Sequence, residues 1–221
     1  MYFYLMRPKV KICCISSESE AKMAIEHGAS ALGLVAKMPS GPGPIPDELI
    51  LSIAKTIPEH IASFMLTSET SAEDIIQHHY RTQTNTIQIV DALAFGTYDQ
   101  IKATLPNIKI VQVIHVIDES SIDEAIAIAE HVDFLLLDSG NPKAAIKELG
   151  GTGRTHNWAL SRSIVEQSKV PVFLAGGLNT DNVQRAMETV APYGVDLCSS
   201  VRTNGHLDPK KLEEFFAIVF K

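Results

Sequence analysis

Leu135-Leu136-Leu137-Asp138, followed by the glycine-rich return Gly150-Gly151-Thr152-Gly153, decides how the chain is read. Three leucines without polar alternation suit a strand covered on both faces, as strands inside an all-parallel sheet are. The run ends on a carboxylate, which an apolar core does not accept without a partner. A loop over residues 139–157 follows, and Trp158 then opens a helical pattern. An acid at the C-terminal tip of a buried strand, under a loop able to bring backbone against a ligand, is where barrel enzymes place their chemistry. The plainer alternative is that Asp138 caps the loop and the glycines only turn the chain.

Outward from that stretch the same unit recurs. Strand patterns at residues 10–15, 31–36, 61–66, 86–90, 108–116, 133–137, 171–174 and 195–199 alternate with helical patterns at 17–27, 47–56, 71–81, 98–105, 120–131, 158–167, 180–191 and 208–220. Start and stop signals punctuate them: Ser71 with Asp74 three residues on, Gly28 after the first helix, Pro58 and Pro106 after the second and fourth. Eight strand–helix units with no linker between them predict one α/β domain over residues 1–221, a single (β/α)8 TIM barrel. A doubly wound open sheet is the rival, and eight regular units favour closure. Residues 1–8 are expected to be a tail outside the barrel, with Met6 an alternative start.

Composition narrows the function. Hydrophobic residues are 45% and charged residues 20% of the 221, with mean hydropathy near zero, as in a compact soluble protein. A net charge of −7 without a basic patch argues against nucleic acid and leaves a phosphorylated small molecule open, since a phosphate needs only a few local donors. No run of 18 apolar residues predicts a membrane span. Three cysteines, two of them adjacent, form no disulfide framework, which points to a reducing cytoplasm. The eight histidines show no metal spacing, and no P-loop or paired Cys-x-x-Cys motif is present, so neither metal nor nucleotide cofactor is expected. His156, beside Gly153 and Arg154, reads as a solvated loop histidine.

The C-terminal strand ends hold the candidate chemistry. Alternation along strand one sets Lys11, Cys13 and Ile15 on one face and Ile12 and Cys14 on the other. With the second set against helices, Cys13 faces the mouth beside Lys11, whose ammonium favours a thiolate. Alternatively both cysteines are small buried hydrophobes. Gly176-Gly177 after strand seven and Ser199-Ser200 after strand eight, with Gly153, suit a phosphate held by backbone N–H groups; the alternative is two ordinary turns.

Taken together, Val10-Lys-Ile-Cys13, Leu136-Leu-Asp138-Ser139, Gly150-Gly-Thr-Gly153 with Asn157-Trp158, Leu174-Ala-Gly-Gly-Leu-Asn179 and Pro192-Tyr-Gly-Val-Asp196 resemble the phosphoribosylanthranilate isomerase family, in order and along nearly the whole chain. The resemblance implies a cofactor-independent barrel isomerase that performs an Amadori rearrangement in tryptophan biosynthesis. It implies Cys13 and Asp138 as the catalytic pair.

Four departures from the family pattern stand out. Cys14 replaces the usual glycine. The loop after strand two, which in the family carries an arginine for the anthranilate carboxylate, has no basic residue between Lys37 and Lys55. Strand four ends Gln88-Ile89-Val90-Asp91 in place of Gln-Leu-His-Gly, and strand eight ends Cys198-Ser199-Ser200-Val201-Arg202 in place of Ser-Ser-Gly-Val-Glu. The substrate carboxylate still wants a cation, and Arg154 and Arg202 are the nearest candidates by strand-end position, with Lys11 also on the substrate side. A related barrel isomerase of another phosphorylated sugar or aminosugar, and a non-catalytic relative that binds a phosphorylated ligand, are the rival readings.

Overall fold

The computed structural model describes residues 7–141, 147–151 and 153–221, so most of the expected N-terminal tail, the start Met6 and Thr152 lie outside the described residues. Strands β1 (Lys9–Ile12), β2 (Ala31–Val35), β3 (Ala62–Thr67), β4 (Thr86–Ile89), β5 (Lys109–His115), β6 (Phe134–Asp138), β7 (Val172–Leu174) and β8 (Gly194–Leu197) hydrogen-bond in chain order. All are parallel, and β8 returns to β1 to close the barrel. The expected (β/α)8 barrel is present, and the open sheet is not. Helices α1 (Glu18–Glu26), α2 (Asp47–Thr56), α3 (Ala72–Thr82), α4 (Tyr98–Thr104), α5 (Ser120–Ala129), α6 (Trp158–Gln167), α7 (Val183–Val190) and α8 (Pro209–Val219) follow the strands in turn. No helix among the described residues is long and apolar enough to cross a membrane.

Period two along each strand divides the core into two shells. Val10 and Ile12, Leu32 and Leu34, Leu135 and Leu137, Val195 and Leu197 point outward and pack with the helices. Cys13, Val35, Leu66, Leu136 and Phe173 point inward and fill the barrel. This double burial is why the strands read as continuous apolar runs.

Local chemistry sets the helix starts. Ser71 accepts from the Asp74 N–H, Asn157 from Ala159, and Asp208 from Lys210 and Lys211, each satisfying donors that a helix leaves unpaired. Two of the boundaries that differ from expectation bear on the site. α7 begins at Val183 because the preceding asparagines form their own turn: Asn182 Oδ1 accepts from Asn179 N–H and Asn179 Oδ1 from Asp181 N–H. β1 ends at Ile12 rather than at residue 15, with consequences for Cys14 given below. A 3-10 turn (Ser199–Val201) and a small hairpin, β9 (Arg202–Thr203) with β10 (His206–Leu207), follow β8.

Candidate active site

The alternation that sends Leu135 and Leu137 outward and Leu136 inward carries Asp138 to the C-terminal mouth, where it is 8% exposed. Its Oδ1 accepts from the Ser139 N–H at 2.7 Å, which orients the carboxylate. Cys13 reaches the same mouth from β1. Both line a cleft of about 820 Å³, open mouth included, together with Gln88, Leu149, Asp196 and the strand-seven glycines.

Beneath the cleft lies a buried charge. Lys11 is fully buried, with its ammonium 2.8 Å from Asp196 Oδ2 and 5.3 Å from the centre of the Phe64 ring. A buried ammonium needs such a partner. Gly33 on β2 makes the arrangement fit: a Cβ there would stand 2.7 Å from Cys13 Sγ and 3.1 Å from Lys11 Nζ. Burial alone would lower the Lys11 value, but Asp196 and Cys13 hold the ammonium well above its ordinary range. Burial pushes Asp196 up to about 7 against the pull of Lys11, with repulsion from Cys13 and Asp138 adding to the rise. Asp196 Oδ1 is buried and has no hydrogen-bond partner among the described residues. The neighbouring Cys14 thiol, aided by Lys11 and opposed by burial, brings Cys13 down to about 6. Lys11 therefore acts on the thiolate from below. Full burial corrects the expectation that it touches substrate.

Cys14 needs a correction too. It was expected in the helix layer, but it lines the cleft. With β1 ended at Ile12, Cys14 adopts φ 61°, a left-handed conformation that interrupts period two and turns its side chain into the mouth. That conformation is one glycine adopts at lower cost, which fits the glycine that the resemblance leads one to expect here. The Cys14 sulfur lies 2.6 Å from that of Cys198 and 3.6 Å from the Pro42 carbonyl oxygen. Cys13 and Cys198 hold the Cys14 proton firmly, so its value is raised.

Gly153, Gly176, Gly177 and Ser199 line one wall of the same cleft, while Ser200 stands behind it with a buried hydroxyl lacking a partner among the described residues. The two glycine-bearing loops interlock: a Cβ at Gly177 would come within 2.8 Å of the Gly153 carbonyl oxygen and the Arg154 carbonyl carbon. His156 is half-buried rather than solvated. Its Nε2 is 2.7 Å from Ser161 Oγ, its Nδ1 lacks a partner among the described residues, and burial lowers its pKa against the pull of Asp138.

Arg202, three residues beyond Ser199, does not line the cleft. Its side chain and that of Glu20 are each 8% exposed and paired at 2.9 Å, and Arg202 also donates to the carbonyls of Cys13 and Cys14. The expectation of a substrate contact from Arg202 is corrected: the guanidinium is consumed in tying the β1 loop to the β9 hairpin. Arg154 pairs with Glu148 at the rim and stays 60% exposed. Met38, Ser40, Gly41 and Pro42 of the rewritten loop after β2 line the cleft, where Ser40 donates to the Lys147 carbonyl and Lys147 pairs with Asp91. Asp196 and Cys198 were missed by the sequence reading, although alternation with the outward Val195 and Leu197 is the signal that finds them. Gln88, whose Oε1 is buried without a partner among the described residues, carried no sequence signal beyond its strand position.

A closed (β/α)8 barrel with a thiol and a carboxylate at its C-terminal mouth, and glycine turns along one wall, defines a barrel isomerase of a small phosphorylated substrate. The model of the N-(5'-phosphoribosyl)anthranilate isomerase family matches residues 10–217. The isomerase of that name from Methanosarcina acetivorans is 33% identical, covering 95% of this chain and 92% of its own. That of Haloferax volcanii is 32% identical, covering 89% and 86%. The crystal structure of phosphoribosyl anthranilate isomerase from Thermotoga maritima superposes with a TM-score of 0.78 at 25% identity, covering 96% of this chain and 98% of that one. The chain belongs to the N-(5'-phosphoribosyl)anthranilate isomerase family. It is an isomerase of that type, an activity that belongs to tryptophan biosynthesis.

Proposed function

We propose that Cys13 and Asp138 carry out the Amadori rearrangement of N-(5'-phosphoribosyl)anthranilate across this cleft. Asp138 gives a proton to the furanose ring oxygen, and the C1–O bond breaks to leave a Schiff base. The Cys13 thiolate takes the proton from C2, giving the enolamine, which tautomerises to the ketose. One observation carries this reading: the thiol held low and the carboxylate line the same cleft, with Gly153, Gly176, Gly177 and Ser199 beside them. Backbone N–H groups of those turns are the proposed phosphate donors. A phosphoribosyl anthranilate isomerase with the same fold, solved with reduced 1-(o-carboxyphenylamino)-1-deoxyribulose 5-phosphate bound, supports a phosphorylated small molecule as the substrate class. Arg154 is the proposed cation for the substrate carboxylate, since Arg202 is committed to Glu20. A charged phosphorylated substrate and three free thiols support a cytoplasmic setting.

The test is turnover of N-(5'-phosphoribosyl)anthranilate by purified protein and growth of an isomerase-deficient tryptophan auxotroph carrying this gene. Cys13→Ala and Asp138→Asn are each expected to lose about 10²–10⁴ in turnover while still binding ligand, the usual contribution of one positioned acid or base. Full activity in either variant overturns its assignment.

A further inference from the structure

Cys14 and Cys198 are the two thiols of the mouth that exchange no proton with the substrate. β1 and β8 are in register at Ile12 and Leu197, and the Cys13 N–H continues that ladder to the Leu197 carbonyl. Cys14 and Cys198 therefore sit on adjoining strand ends, one half-exposed and one buried. Their sulfurs are 2.6 Å apart. A disulfide needs about 2.05 Å between sulfurs. Cys14 also keeps a side chain in a left-handed conformation that glycine adopts at lower cost, and such outliers cluster where a residue has work to do.

We propose that Cys14 and Cys198 are an oxidant-responsive pair that closes reversibly to a disulfide in the mouth of the barrel and lowers turnover while it is closed. The oxidant class is a peroxide. The half-exposed Cys198 sulfur attacks one peroxide oxygen: an S–O bond forms, the O–O bond breaks, and the departing hydroxide takes the Cys198 thiol proton to leave as water. The Cys14 sulfur then attacks the sulfenic sulfur. The S–S bond forms, the S–O bond breaks, and the leaving hydroxide takes the Cys14 proton as a second water. Two sulfurs together lose two electrons, and the peroxide gains them. A dithiol reductant reverses the step.

Closure reaches the chemistry by two routes. It ties the β1 loop to the residue preceding Ser199, on the wall of the cleft. It also removes the Cys14 thiol hydrogen that supports the Cys13 thiolate. If Cys13 returned to an ordinary thiol value of about 8.5, its thiolate fraction at pH 7 would fall roughly thirtyfold, the loss expected from this second route alone. Cytosolic disulfides of this kind are redox-sensing rather than structural.

The activity arm rests on the isomerase reading; the cross-link arm does not. Intact protein is treated with hydrogen peroxide, free thiols are alkylated, and unreduced peptides are mapped by mass while activity is followed before and after dithiothreitol. The expected result is a Cys14–Cys198 linked peptide with Cys13 alkylated as a free thiol. Activity should fall in step with the linked fraction, and dithiothreitol should restore it. Cys198→Ser, compared with its own untreated activity, should form no link and show no such loss while its Cys13 remains alkylatable. Oxidation at Cys13 with no Cys14–Cys198 link overturns the proposal, and a complete link with undiminished activity overturns its regulatory half. Should the untreated protein fail to turn over substrate, the peptide map still decides whether the pair closes.

Discussion

Cys13 has to be a thiolate to remove the C2 proton, so the rate must rise with pH as the thiol ionises. With Cys13 brought down to about 6, kcat/KM is expected to fall about tenfold per pH unit below that value and to level above it. A profile still climbing at pH 8 would contradict the support from Cys14 and Lys11. Cys14→Gly separates two effects of one side chain. It removes a left-handed non-glycine residue and should stabilise the fold by about 1 kcal/mol. It also takes away the thiol beside Cys13 and should move the acid limb upward; denaturant titration and a pH–rate profile read the two outcomes. Asp196→Asn leaves the Lys11 ammonium buried without a counter-charge, and a loss of about 3–5 kcal/mol in unfolding free energy is expected. Asp138 was legible from the leucine run because period two inside one short segment fixes which way its last residue points. The Lys11–Asp196 pair was not, since the partners are 185 positions apart and meet only through the closure of β8 on β1. Cys14 misled because alternation holds only while the strand lasts, and β1 had ended two residues earlier.

Whole elements were easier to read than their junctions. α2 and α6 begin and end where the sequence patterns place them, because apolar periodicity over three turns and a clear stop signal agree. The 3-10 turn and the hairpin after β8 were missed, since strands of two residues carry no period. That hairpin matters through Glu20, which accepts from the Ser16 and Leu207 N–H groups as well as from Arg202. Arg202→Met should therefore lower stability by about 3–5 kcal/mol, the usual result of breaking a buried pair from one side, with a smaller effect on KM. Arg154→Ala has the opposite signature. Loss of a charge-assisted hydrogen bond is worth about 1.5–3 kcal/mol, so KM should rise by roughly 10- to 150-fold with kcat nearly kept. An unchanged KM would assign the carboxylate to another group.

The assembled barrel ties ligand binding to global stability, because the cleft draws on β2, β3, β4, β6 and β8 and on the loops after β1 and β7 together. A ligand of the folded form alone stabilises it by RT ln(1 + [L]/Kd), about 2.7 kcal/mol at one hundred times Kd. Inorganic phosphate should raise the melting temperature on this curve through the turns at Gly176-Gly177 and Ser199, and a flat response would count against the proposed phosphate wall. The seam between β1 and β8 also imposes an order in time. Asp196 leaves the ribosome 185 residues after Lys11. At roughly 5–20 residues per second the wait is on the order of 10–40 s. Throughout that interval the nascent chain carries a lysine destined for the interior with nothing to neutralise it. A product that stops short of Asp196 keeps that defect permanently, so the buried Lys11–Asp196 pair doubles as a check that the last strand of the barrel has been made.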